Sequence, residues 1–134
     1  MESAQLGQWT LPGDTTAPAR ARHLARGATG HLHDDARGVL ELLVSELVAN
    51  AVVHGDGPVH VTLHAQGQVL RVAVHDTGSG LPRPAPASTS TEGGRGLHIV
   101  RALAEDWGSD VGGAGGPVGK TVWCTVRDAP LAVD

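Results

Sequence analysis

The chain contains no phenylalanine and no tyrosine, so its 3 tryptophans are the only large aromatic side chains in 134 residues. A hydrophobic core must therefore be assembled from valine, leucine and alanine, which supply most of an apolar fraction of 40%. Cysteine is nearly absent. The single thiol, Cys124, excludes an internal disulfide and suits a reducing, cytoplasmic setting. No dense basic run offsets the formal net charge of -4, which argues against direct nucleic-acid binding. No apolar run approaches the roughly 20 residues of a membrane span. The opening "MESAQLGQW" has no basic segment followed by an apolar one, so no signal peptide is expected. The length suffices for one domain with a real core and not for two.

What is present is periodic. "QWTLPGD" predicts a short edge strand ending at Pro12 and Gly13. Positions 17, 21, 24, 25 and 28 follow helical spacing, with Pro18 in the first turn. A second helix is expected to start near Asp34 and Asp35, either of which could cap it, and to end at Gly55. Its apolar stripe is Ala36, Val39, Leu40, Leu43 and Leu47, followed in phase by Asn50. A hairpin follows. Val59, Val61, Leu63 and Ala65 share one face, as do Leu70, Val72, Val74 and Asp76, and a turn at Gln66-Gly67 would bring both apolar faces to the same side. Residues 78 to 96 form a Gly-, Pro-, Ser- and Thr-rich loop, of a length that is rare unless the segment is a functional lid or disordered. "LHIVRALAEDWG" predicts a short helix, and a Gly-rich hairpin then leads to a last strand with Val122, Cys124 and Val126 in phase. This order predicts an α+β fold, a two-layer sandwich with helices on one face of a mixed, mostly antiparallel sheet. The domain is placed at residues 8–127, with 1–7 and 128–134 as flexible ends.

Several polar residues occupy apolar phases. Glu46, Asn50 and His54 are each four apart and stack on one helix face. Asn is a poor interior helix residue, yet Asn50 follows Leu43 and Leu47. Asp76 closes a run of core-facing positions, where an unpaired carboxylate is costly. It could simply open the turn "DTG", or it could serve a ligand that Gly78 and Gly80 let approach. Gly93, Gly94 and Gly96 stand directly before a predicted helix, a position that favours phosphate but also suits a plain linker.

Taken in order, "ELVANAVVHG", "DTGSGL", "GGRGLHIV" and "GKTVW" resemble the N box, the two glycine boxes and the last-strand motif of the GHKL ATPase superfamily, whose nucleotide site is called the Bergerat fold. The resemblance covers about residues 8 to 127. It implies ATP and Mg²⁺ as cofactors. Asn50 would help hold Mg²⁺ between the phosphates, and Glu46 would accept a proton from the attacking group. Asp76 would receive the adenine amino group, with Gly78 and Gly80 admitting the base. Gly94, Arg95, Gly96 and Leu97 would wrap the triphosphate, and Thr121 would stand near the adenine. His54 borders this row without a catalytic role.

The short chain and "LPGDTTAPARAR" resemble the bacterial anti-sigma-factor serine/threonine kinases within that superfamily. The implied function is phosphorylation of a protein regulator of the anti-anti-sigma type, together with binding of a sigma factor, by a protein that is often dimeric. The rival is a nucleotide-sensing module with negligible turnover, whose ATP-ordered lid presents a surface to a regulator. Only Arg83 and Arg95 are available in the lid to clamp a phosphate, which keeps the rival in view. Metal binding by the other histidines is not expected. His60 and His64 share a strand face but lie about 13 Å apart at the usual rise, too far for one ion.

Overall fold

A computed structural model describes residues 3–78, 102–111 and 119–129. The elements run in the order β1 (Ser3–Leu11), α1 (Ala17–Ala28), α2 (Asp34–His54), β2 (Val59–Gln66), β3 (Val69–Asp76), β4 (Asp106–Val111) and β5 (Lys120–Arg127). The strands form one sheet, ordered β1-β2-β3-β5-β4, and every described pairing is antiparallel. Both described helices pack against the sheet, α2 over β2, β3 and β5, and α1 over β1 and β2. This is the two-layer α+β architecture that the element order predicts.

The alternation of each strand sets the layering. Val59, Val61, Leu63, Leu70, Val72, Val74, Val122, Cys124 and Val126 are buried and form one core with Leu40, Leu43, Val44, Leu47 and Val48 of α2 and Ala17, Ala21 and Ala25 of α1. The three alanines let α1 approach closely, so the core closes without Phe or Tyr. Cys124 lies in this layer, and burial pushes its thiol up to about 12. Such a thiol is a packing group and not a nucleophile.

The hairpin keeps the expected faces with a different register. Gln66 pairs with Val69, Leu63 with Val72 and Val61 with Val74, so the turn is Gly67-Gln68 and not Gln66-Gly67. The partners shift by two residues, which preserves the face of every side chain. Gly67 has φ 59°, and no described non-glycine residue has positive φ, as a type II′ turn with glycine first requires.

Other expectations are corrected at the element ends. Neither Asp34 nor Asp35 is the cap of α2. His33 holds that position, with its N–H donating to Asp128 Oδ1 at 2.9 Å, and the two aspartates occupy the first turn, where the helix dipole favours them. Residues 3–7 are not a loose end, because β1 starts at Ser3, opposite Gln66 of β2. Asp128 is also tied down, through its N–H to the Gln68 carbonyl at 2.7 Å. The helix expected to run to Gly108 gives way to β4 at Asp106, where Trp107 pairs with Cys124. The start of that helix and most of the expected lid lie outside the described residues.

Two glycines give opposite tests of this fold. Gly67→Val places a β-branched residue at positive φ and should lower unfolding stability by about 1–2 kcal/mol. Gly38 lies inside α2 with open space where a Cβ would be. Gly38→Ala should raise stability by roughly 0.8–1 kcal/mol. Urea unfolding monitored by circular dichroism reads both changes.

Candidate nucleotide site

The end of α2 meets the ends of β3 and β5. Gly55 closes the helix with its N–H on the Ala51 carbonyl at 2.8 Å, and the next residues turn beneath Asp76. Asp56 fixes that crossing, since its carbonyl accepts both the Thr77 N–H at 3.0 Å and the Thr77 hydroxyl at 2.8 Å. Two glycines press against the Asp76 carboxylate, and a third lies against its backbone and the His75 ring. A Cβ at Gly55 would collide with Asp76 Cγ and Oδ1, and one at Gly78 would lie 2.9 Å from Oδ1. At Gly119, with φ 108°, a Cβ would lie 2.5 Å from the Asp76 carbonyl oxygen. The chain keeps this collar free of side chains.

Asp76 itself is 1% exposed. Its Oδ1 accepts the Gly78 N–H at 2.7 Å, and its Oδ2 lies 3.6 Å from Lys120 Nζ. Lys120 is equally sealed, and its Nζ donates to the His54 carbonyl at 3.4 Å. It is the only lysine in the sequence and the largest fully buried side chain described. Taking an ammonium and a carboxylate out of water costs several kcal/mol each, and close pairing offsets that cost.

Asn50 lies on the buried side of α2, at 0% exposure, and neither Nδ2 nor Oδ1 has a hydrogen-bond partner. An orphaned buried amide costs about 1–3 kcal/mol and calls for an explanation. Glu46, one turn earlier on the same face, is half-buried and has a polar interaction of its own. His54 is exposed at the end of the row, and its backbone carbonyl alone reaches the site. The structure therefore brings Asp76 and Gly78 together, with Glu46 and Asn50 on the helix that ends beside them. Gly80, Gly94, Arg95, Gly96 and Leu97 lie outside the described residues.

Thr121 stands elsewhere. Strand β5 alternates, so Lys120 faces α2 together with Val122 and Cys124, while Thr121 points to the opposite face. There its hydroxyl lies 2.9 Å from His75 Nδ1. Thr121 therefore lies on the sheet face away from Asp76 and Asn50. Lys120, which pairs across the strands with Asp76, lies beside its carboxylate on the face toward α2. Sequence reasoning missed it, although Lys120 leads the inward phase of Val122, Cys124 and Val126.

The family model of the histidine kinase-like ATPase domain matches residues 11–126. The chain belongs to that family. The match spans α1, α2 and the β2, β3 and β5 strands that carry the site, and ATP is the ligand the family implies. Among solved structures, the whole chain aligns with the RsbU and RsbW domains of a Mycobacterium tuberculosis protein at 20% identity and a TM-score of 0.66. That likeness concerns the fold, and the present chain spans 35% of the length of its neighbour. No curated protein matches the chain. No described helix is long and apolar enough to cross a membrane. Among the described residues there is no group of three or more His, Cys, Asp and Glu that could hold a metal ion.

The chemistry of the orphaned amide suits a cation of the kind that accompanies ATP. A hard cation takes oxygen ligands and keeps several waters, so one amide oxygen beside bound phosphates fits Mg²⁺. Asn50→Leu removes the buried amide with a side chain of similar shape. It should leave unfolding stability unchanged or raise it by about 1 kcal/mol. Calorimetry should show that the same variant loses the Mg²⁺-dependent part of its ATP affinity. A loss of stability with unchanged nucleotide affinity would mark Asn50 as a packing residue only.

Proposed function

We propose that the protein is a serine/threonine kinase of the anti-sigma-factor type, which uses Mg-ATP to phosphorylate a protein regulator. The observation that carries this reading is Asn50. A sealed amide with two unpartnered polar atoms, four residues after Glu46 on one helix, is a poor packing choice and a suitable cation ligand. The neighbouring fold that contains an RsbW domain is a second support.

In this reading Asp76 accepts the adenine amino group inside the glycine collar, which fixes the base. Gly78 holds the carboxylate in position through its N–H. Asn50 offers Oδ1 to the ion. Glu46 accepts the proton of the attacking serine or threonine hydroxyl, about one helical turn or 6 Å along the axis from Asn50. Gly94, Arg95, Gly96 and Leu97 are assigned to the triphosphate by their resemblance. Bound Mg²⁺ would supply charge neutralisation, and phosphoryl transfer asks for little beyond that and correct position. The partners proposed are an anti-anti-sigma-like substrate and a sigma factor, with a second copy of the chain as the dimer partner.

Incubation with γ-labelled ATP and the proteins encoded beside the gene tests the reading. The wild type should label one partner on serine or threonine. Glu46→Ala should bind ATP as before and transfer phosphate about 10²–10⁴-fold more slowly. If the wild type binds Mg-ATP and labels nothing, the kinase is rejected in favour of the nucleotide-sensing module.

A further inference from the structure

We propose that Lys120 reads the nucleobase together with Asp76. This rests on the adenine site described above and adds a second contact to it. The carboxylate and the ammonium lie side by side, with Oδ2 and Nζ 3.6 Å apart, and Gly55 and Gly78 keep the space against the carboxylate free of side chains. The pair offers one acceptor and one donor. Asp76 Oδ1 is aimed by the Gly78 N–H and retains a free lone pair. Lys120 Nζ has three N–H bonds, one of which donates to the His54 carbonyl, while its 3.6 Å contact with Asp76 is an ion pair longer than a hydrogen bond, so a donor remains for a base.

The six-membered edge of adenine presents the complementary order, an amino donor at position 6 next to an acceptor at N1. Asp76 takes the amino group and Lys120 donates to N1. Guanine presents the reverse order, an acceptor at position 6 and a donor at N1. It would set oxygen against the carboxylate and N–H against the ammonium. A lone aspartate meets only the first mismatch, so Lys120 doubles the discrimination. Both side chains are sealed from water, so they meet a base only when the pocket opens, and the exchange then proceeds between groups already paired.

Calorimetric titration of the full chain with Mg-ATP, Mg-GTP and the Mg complex of 1-deaza-ATP tests the inference. That analogue keeps the 6-amino group and replaces N1 with C–H. On the wild type, 1-deaza-ATP should bind about tenfold or more weakly than ATP, because a hydrogen bond to a charged donor is lost. Lys120→Met should bind ATP and 1-deaza-ATP equally, and its preference for ATP over GTP should narrow. Equal affinity of the wild type for ATP and 1-deaza-ATP would overturn the role of Lys120. So would a Lys120→Met variant that keeps the full N1 preference, or a wild type that prefers GTP. The wild-type comparison needs no variant, so it decides the matter even if Lys120→Met fails to fold. A wild type that binds ATP and 1-deaza-ATP with equal strength leaves the nucleotide site standing and removes only Lys120. A wild type that binds no adenine nucleotide rejects both.

Discussion

Asp76 and Lys120 sit opposite each other on β3 and β5, at the end of the sheet where α2 stops. Neither would be stable there alone, since breaking a buried ion pair by removing one partner costs about 3–5 kcal/mol. Much of the surrounding chain serves that pairing. Gly55 and Gly78 leave the space the carboxylate needs, the His54 carbonyl accepts a hydrogen bond from the ammonium, and Thr77 ties the strand end to Asp56. The sheet register carries the constraint outward. A slip of one residue between β3 and β5 would turn either the carboxylate or the ammonium to the open face and break the match of Val72 with Cys124.

The same helix that covers this pair carries an unsatisfied amide. A core built only for stability would place an apolar residue at position 50, next to Leu47 and Ala51. The chain instead accepts a buried Asn50 with no partner, one turn beyond a half-buried Glu46. Marginal stability tolerates a cost of this size where the surrounding packing is good. Twenty of the described residues form one core cluster, with α1 drawn close by alanines, and supply that packing. Sites where local rules fail are where ligands are to be sought, and here two such failures share one helix end.

Much of this is legible in the amino-acid sequence alone. The alternation of β2 and β3 identifies their buried faces, and the helical phase of Leu43 and Leu47 marks Asn50 as misplaced. Details set by tertiary partners are not legible there. The hairpin turn lies one residue later than expected because Gly67 takes the positive φ of the first turn position. The segment from Asp106 reads as a helix end in isolation and becomes a strand because β5 offers a free edge, with Trp107 beside Cys124. Likeness of "GKTVW" to a family motif directs attention to Thr121, whereas strand alternation puts Lys120 in the site. The phase of Val122 and Cys124 is enough to show this, and a lysine on that phase carries the same signal as the aspartate opposite.

The single lysine makes the central claim directly measurable. Lysine labelled with ¹⁵N at Nζ gives the protein one ammonium resonance, and burial should slow its proton exchange enough for detection by NMR. Saturating Mg-ATP should move that resonance and create a nuclear Overhauser contact to the adenine H2 proton, the neighbour of N1. An ammonium signal that keeps its position and shows no contact to the base, while other resonances report saturation, would contradict the account.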